Sequence, residues 1–344
     1  MPFINTRDSL WHQALLIASH DIYHLPGYCQ LEAEVLDGIP VAWSTQIEGV
    51  QFIIPLVERV IHSNGSVEKD LVSPYGYPGI LYHEDTSAAI IIEALKQFHA
   101  EAAICGYVSS FIRLHPLYNT FQFAKLPNIT HHAHGPTVSI NLSLPMANIR
   151  KSYSLNHKKH LRKLHDKGYS IEVNNWSQMP NFIDLYTQTM QRKHAQKRYF
   201  FTPEYFQQFK KMLKDSIMLV SVSDTKGEMA SAGLFTIVNG LAQFHLGGTS
   251  KTFLKESPSK LMMDAAIEAC KEKKAFTIHL GGGYGSSNAD GLFRYKSGFG
   301  HQMHQFSTLR FIHLPEKYAQ LLTSTTFKSS NSGAYFPEYR FLES

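Results

Sequence analysis

Leu246-Gly247-Gly248-Thr249-Ser250, Leu280-Gly281-Gly282-Gly283-Tyr284-Gly285 and Gly291-Leu292-Phe293-Arg294-Tyr295-Lys296-Ser297-Gly298-Phe299-Gly300 are pieces of one stretch, residues 246–300, whose reading decides the fold. The first two end apolar, strand-like runs in glycine. A missing Cβ lets a ligand reach the backbone there. Between them, Ser257-Pro258-Ser259-Lys260 reads as a helix start, with Ser257 as cap, Pro258 at the first position and Lys260 in the first turn. An acid usually complements the helix dipole at that place, so a cation beside Ser259 suits a bound phosphate or diphosphate. The plainer alternative is a solvated lysine and ordinary turn glycines.

Working outward, residues 216–223, 228–238 and 241–247 read as three strands, the last two joined by Asn239-Gly240, the strongest hairpin signal in the chain. Upstream, residues 181–193 place Phe182, Leu185, Tyr186, Thr189 and Met190 on one helical face, and Thr202-Pro203-Glu204 opens a helix carrying Phe206, Phe209, Met212 and Leu213. Residues 302–312 read as a last strand. The first half has a similar order: a hairpin around Glu48-Gly49, a loop Ser73-Pro74-Tyr75-Gly76-Tyr77-Pro78-Gly79, a helix over 87–103 and a strand over 107–114. Two copies of one mixed α/β unit are the simplest architecture. Between them, residues 151–167 read as one basic helix ended by Gly168, in which Lys158 and Arg162, and Lys159 and Lys163, lie a turn apart and Asp166 is the one acid. Such a run is either a solvated face or the footprint of a polyanion.

A chain of 344 residues with 43% apolar content fits two domains of about 100 to 200 residues. The formal charge of +5 and 19 histidines favour anionic ligands without making a nucleic-acid tail. Cys29, Cys105 and Cys270 are isolated, which points to a reducing compartment and away from disulfides or zinc fingers. The first residues hold no apolar run like a secretory signal, and no window approaches the ~20 apolar residues of a membrane span. A soluble, cytoplasmic protein is expected. No Gly-x-Ser-x-Gly elbow is present, and the glycines at 281–285 lack the Lys-Ser/Thr of a P-loop. His131-His132-Ala133-His134 has no Cys or carboxylate neighbour, so it reads as a polar loop and no metal is expected.

The element order over 169–312 resembles the GNAT acyltransferase unit, and the sequence detail is similar to the FemABX-type branch, which has tandem GNAT-like domains. The resemblance rests on Ser73 to Gly79, on Tyr186-x-x-Thr189-Met190-x-Arg192 with Tyr199-x-Phe201, on His245 to Ser250 and on Leu292 to Gly300. It implies an α/β (α+β) fold of two tandem GNAT-like domains with mixed, largely antiparallel sheets, at 1–135 and 136–315, followed by a tail at 316–344. It also implies an intracellular transferase that moves an acyl or aminoacyl group from aminoacyl-tRNA or acyl-CoA to an amine of a cell-wall precursor or nucleotide sugar. No tightly bound cofactor is expected, and the partners are an anionic substrate and tRNA. A different class is a catalytically inactive, GNAT-like RNA-binding module. By the same resemblance Lys296 faces the reacting ester with Tyr295 shaping its pocket, both as catalytic residues. The substrate-binding set is Tyr75, Tyr77, Arg192, Tyr199, Gly247, Gly248, Ser259 and Lys260. The loop before the helix at 259 lacks the Arg/Gln-x-x-Gly-x-Gly/Ala with which GNAT enzymes hold the CoA pyrophosphate. His245 and His279 lie at strand ends and are read as buried, hydrogen-bonded histidines or as proton acceptors. The two glycine-ended strands are expected to splay apart beside Lys260.

Overall fold

A computed structural model describes residues 2–63, 66–121, 127–283, 290–300, 302–324 and 335–343. The chain divides into two compact units, Met1–His134 with Gln305–Ser344, and Gly135–His304.

The first unit holds β1 (Phe3–Ile4), α1 (Ser9–Ile17), α2 (Pro26–Val35), β2 (Ile39–Ile47), β3 (Val50–Ser63), β4 (Ser66–Val72), α3 (Ala88–Ile104) and β5 (Tyr107–Arg113). Pro26 opens α2, because proline at the first helical position costs no hydrogen bond. β6 (Ile129–Asn141) carries the chain into the second unit. There follow α4 (Met146–Ser152), α5 (Leu155–Asp166), β7 (Ser170–Val173), α6 (Met179–Arg192), α7 (Pro203–Leu213), β8 (Ile217–Ser223), β9 (Met229–Val238), β10 (Leu241–Thr249), α8 (Ser259–Glu272), β11 (Thr277–Gly282) and α9 (Gly291–Ser297). β12 (Gln302–Ile312) and α10 (Pro315–Ser324) come last among these elements.

Strand order in the second unit is β6-β11-β10-β9-β8-β7, antiparallel except for the β10–β11 pair. In the first it is β1-β2-β3-β4-β5-β12, with β4–β5 the parallel pair. The place of β12 in the sequence suggests that it closes the second unit, but only its first residues, Gln302–His304, belong there, where the Ser139 hydroxyl contacts Gln302 and His304. From Thr308 to Ile312 it pairs with Arg113 to Ser109 of β5, because that strand offers the open edge.

The tail beyond 315, which shows no chemistry in the sequence, returns to the first unit and completes a buried ion pair. Asp70 lies at 0% exposure, and Arg59 grips it with two hydrogen bonds of 3.0 and 3.1 Å. Arg340 adds two of 2.7 and 3.2 Å, and the Tyr339 hydroxyl donates a fifth at 3.0 Å.

In the second unit one core joins α5 and α8 to the sheet face carrying Met218, Val220, Val222 and Phe235, through Leu161, Leu164, Leu261, Met262 and Ile267. The basic run at 151–167 is two helices rather than one. Ser154 has ψ 150°, which no helix accommodates, and its hydroxyl accepts from the His157 N–H to cap α5. Gly168 ends α5 at φ +73°, as its position implies.

Candidate functional site

The site is built where β10 and β11 separate. Their parallel pairing runs from Leu241↔Thr277 to Gln243↔His279. Beyond it each strand keeps only its outer neighbour: Gly247 and Gly248 stay opposite Gly233 and Ala232 on β9, while Gly281 and Gly282 stay opposite Val138 and Thr137 on β6. Both strands shift register at the point of divergence, β10 between Phe244 and Leu246 and β11 between His279 and Gly281. One extra residue on each side bends the strand and increases its twist, which opens the wedge. The expected splay is present.

Lys296 occupies this wedge. Its Nζ donates to the Gly282 carbonyl at the end of β11, 2.7 Å away, and lies 5.9 Å from the centre of the Phe244 ring on β10. The residue is 8% exposed. Burial pushes the ammonium down to about 7, against the opposing pull of Asp290. Asp290 caps α9 by accepting from the Leu292 and Phe293 N–H groups at 2.7 and 2.9 Å, so its charge is shared with the helix start. A buried lysine with a lowered pKa in such a cleft is a functional-site candidate.

Through Tyr295, α9 contacts α5 and α8. The Tyr295 hydroxyl donates to the Ser259 carbonyl at 2.8 Å, tying α9 to the first turn of α8. Burial raises the pKa of that phenol, so it is a donor throughout the working range. α8 starts one residue later than expected: Ser257 has φ +59°, outside a capping conformation, and Pro258 is the cap, without a side-chain hydrogen bond. Lys260, 6% exposed, points its Nζ to Nδ1 of His160 on α5 at 3.1 Å, and burial lowers its pKa. That nitrogen of His160 is also 2.8 Å from the Asn156 carbonyl. On the solvent side of α5, Lys159, Arg162 and Lys163 are exposed, whereas the Lys158 ammonium is folded onto the Lys151 carbonyl at 2.6 Å. Tyr295 thus links Lys296 to Ser259 of α8 and His157 of α5, and Lys260 meets His160 on the same helix α5; these residues are taken together as one constellation with Phe244.

The other expected site residues of this unit make the following contacts. A Cβ on Gly248 would lie 2.9 to 3.1 Å from the Leu185 and Tyr186 backbone of α6, so the close approach this glycine permits is that of a helix rather than a ligand. A Cβ on Gly247 would meet the tip of the Phe244 ring at 2.8 Å. Arg192 gives one terminal nitrogen to the Thr249 carbonyl at 2.9 Å and to the Thr189 hydroxyl at 3.2 Å, latching α6 to the end of β10. The Tyr199 carbonyl accepts from Tyr186 at 2.9 Å, and the Arg198 guanidinium lies over the Tyr199 ring. His279 Nδ1 is 2.8 Å from Gln243 Oε1, and His245 stacks on Phe209 at 4.7 Å.

Tyr75 and Tyr77 are part of the first unit, in a loop held from several sides. The Tyr28 hydroxyl donates to the Tyr75 carbonyl at 3.1 Å, Glu32 accepts from the Tyr75 N–H at 3.3 Å, and Gly76, at φ +91°, rests on the Tyr23 ring. Tyr77 sits edge-on to Tyr23 and Phe306. The histidines at 131–134 are in strand β6 rather than a loop. His134 stacks on Phe306 and contacts the Thr308 hydroxyl at 2.9 Å. Among the described residues no group of three metal-ligating side chains is assembled, and no helix is long and apolar enough to cross a membrane. Tyr284 and Gly285 lie outside the described residues.

Sequence reasoning does not single out His157 and His160. Their signal is a pair of histidines three apart in a lysine-rich helix, and only burial distinguishes them from their neighbours.

Residues 151–297 match the family described as acetyltransferase (GNAT) domain. Among solved structures, the chain is similar to FemX at 13% identity and a TM-score of 0.70, covering 94% of this chain and 100% of that one. It is also similar to L-PGS from Bacillus licheniformis at 13% identity and a TM-score of 0.53, covering 91% and 95%. A third likeness, at 13% identity and a TM-score of 0.50, is to a C-terminal domain from Agrobacterium fabrum provisionally assigned to a lysylphosphatidylglycerol synthetase, covering 92% and 95%. No curated protein matches the chain in sequence. At these identities the likeness is one of fold.

Proposed function

We propose that this acyltransferase, a GNAT domain within a FemX-like fold, moves an aminoacyl group from the ester of an aminoacyl-tRNA to an amine of a cell-wall precursor in the cytoplasm. The observation that carries the reading is Lys296, buried in the wedge between β10 and β11. In the reaction the amine nitrogen bonds to the ester carbonyl carbon, the C–O bond to the ribose breaks, the amine loses a proton and the departing ribose oxygen gains one. Negative charge grows first on the carbonyl oxygen and then on the leaving oxygen. The Lys296 ammonium meets that charge without having to reorganise, since the Gly282 carbonyl and its burial fix it in place.

A polynucleotide donor is favoured over CoA by the kind of anion site present. Lys260, beside His160, supplies a side-chain cation where GNAT enzymes use a glycine-rich backbone loop, and Lys159, Arg162 and Lys163 extend the positive surface along α5. Changing these three exposed residues to Ala is expected to weaken binding of charged tRNA. It should also reduce the slope of log affinity against log salt by about 2, as fewer counterions are released. Titrations at several salt concentrations measure this. An unchanged slope assigns the helix to a solvated face.

The function is tested by amide formation with purified protein, charged tRNA and candidate acceptors, read by mass spectrometry. Ribonuclease treatment of the donor should abolish product. Product made from acyl-CoA and insensitive to ribonuclease would replace the donor. RNA binding with no product from either donor favours the inactive binding module. The likeness to a synthetase named for lysylphosphatidylglycerol supports a second acceptor class, a lipid headgroup, to be included in the same assay.

A further inference from the structure

We infer that His157 is the positioning residue of the site, the group on α5 that fixes the main chain of α9 and so sets where the Lys296 ammonium stands. α9 is one short helix, and its last carbonyls have no partner of their own within it. The Arg294 carbonyl is taken by the Gly298 N–H and that of Lys296 by the Phe299 N–H. The Tyr295 carbonyl, one residue before the lysine, is taken by Nε2 of His157 at 2.9 Å.

The contact fixes the tautomer. A carbonyl can only accept, so Nε2 carries the hydrogen. Burial holds the ring's pKa down to about 4, so the ring is neutral at working pH and Nδ1 is an acceptor. Ser154 supplies the matching donor: its hydroxyl is 2.9 Å from Nδ1 and accepts from the His157 N–H at 3.2 Å, while its own N–H donates to the Gly298 carbonyl. The side chains of the pair are thereby wholly used in joining the start of α5 to the end of α9.

Packing fixes the ring as firmly as the hydrogen bonds do. His157 is 4% exposed, its ring stands edge-on to Phe299 at 4.3 Å, and Gly298 lies so flat against it that any Cβ there would overlap the imidazole. The residue one turn along, His160, touches Lys260 of α8. One face of α5 therefore contacts both cations of the constellation, Lys260 directly and Lys296 through the α9 main chain.

This inference rests on the proposed role of Lys296, but its test does not require transfer activity. The pH dependence of Lys296 acetylation by trace acetic anhydride, read by peptide mass spectrometry, reports the lysine's own titration. His157→Phe keeps the ring packing and removes the donor; His157→Gln keeps a donor at the place of Nε2. In His157→Phe the labelling midpoint is expected to rise by at least one pH unit, as α9 loosens and water reaches the ammonium. Where turnover is measurable, kcat should fall 10- to 100-fold with donor KM within threefold, and His157→Gln should restore most of both. A folded His157→Phe with an unchanged labelling midpoint overturns the inference, whether or not the protein proves to be an aminoacyltransferase. The expected midpoint shift in a protein that transfers nothing would support the positioning role and count against the proposed function. Should His157→Phe fail to fold, Ser154→Ala gives the same decision: it removes the hydroxyl that holds Nδ1 and caps α5 while leaving the His157 ring in place, so a raised midpoint supports the role and an unchanged one overturns it.

Discussion

Lys296→Met is expected to fold, to bind acceptor within a few-fold of the unchanged protein and to lose a hundredfold or more in turnover. The ammonium is worth little to the bound ground state, where the ester of the donor is uncharged, and much to the transition state, where the carbonyl and leaving oxygens become negative. Removal of one preorganised donor of this kind typically costs roughly 3 kcal/mol of transition-state stabilisation. Methionine keeps much of the stem length, so the wedge stays filled. Steady-state assay of amide formation beside a thermal melt separates the outcomes: full turnover in a folded variant rules out the catalytic role.

The same residue sets a pH dependence of definite sign. Burial lowers its pKa from 10.5 to about 7, so the ammonium is complete below neutrality and lost as pH rises through 7. The acceptor amine needs the opposite change, and turnover should pass through a maximum. Stability follows from the folded and unfolded values. Between about 7 and 10 the unfolded chain holds a proton that the folded one does not, so stability rises with pH across that window. Lys296→Met lacks this contribution. Its melting temperature relative to the parent should be highest at pH 7 and below, and decline towards pH 10.

Asp70→Asn is expected to destabilise the protein by about 3 to 5 kcal/mol, because it removes the one charge between Arg59 and Arg340 and leaves two largely buried cations facing each other. Asparagine matches the carboxylate in shape, so packing changes little. Urea unfolding measures the loss, and a change below about 1 kcal/mol would show that the arginines find other partners. The Tyr339 hydroxyl, which also contacts Ser109 at 2.7 Å, should be released with Arg340.

Local features are legible in the sequence wherever local chemistry decides structure. Asn239 has φ +47° and Gly240 φ +75°, the conformation that makes this pair a hairpin turn, and Thr202 caps α7 by accepting from the Tyr205 N–H. Lys296 stands out as a candidate because it lies in a distinctive block. Features set by tertiary partners are not legible. Nothing in residues 302–312 says that β5 will be the neighbour, and the run of basic residues at 151–167 does not reveal that Ser154 breaks it in two. Gly248 reads as room for a ligand because a missing side chain does not say what fills the space; here α6 does. Arg192 looks like an anion anchor for a similar reason, since a guanidinium serves equally to hold a carbonyl at a strand end.

The pairing of β12 with β5 also has a consequence for biosynthesis. The second unit is one uninterrupted segment, Gly135–His304, and all its strands have left the ribosome before the first unit can be finished. The first unit must wait, with the edge of β5 uncovered and Asp70 lacking Arg340, until residues 305–344 emerge. Domains generally mature from the amino end as they are made. Here the order is reversed: the half begun first is the half completed last, and for the length of a whole domain's synthesis its open strand is the part of the molecule most in need of shielding from other chains.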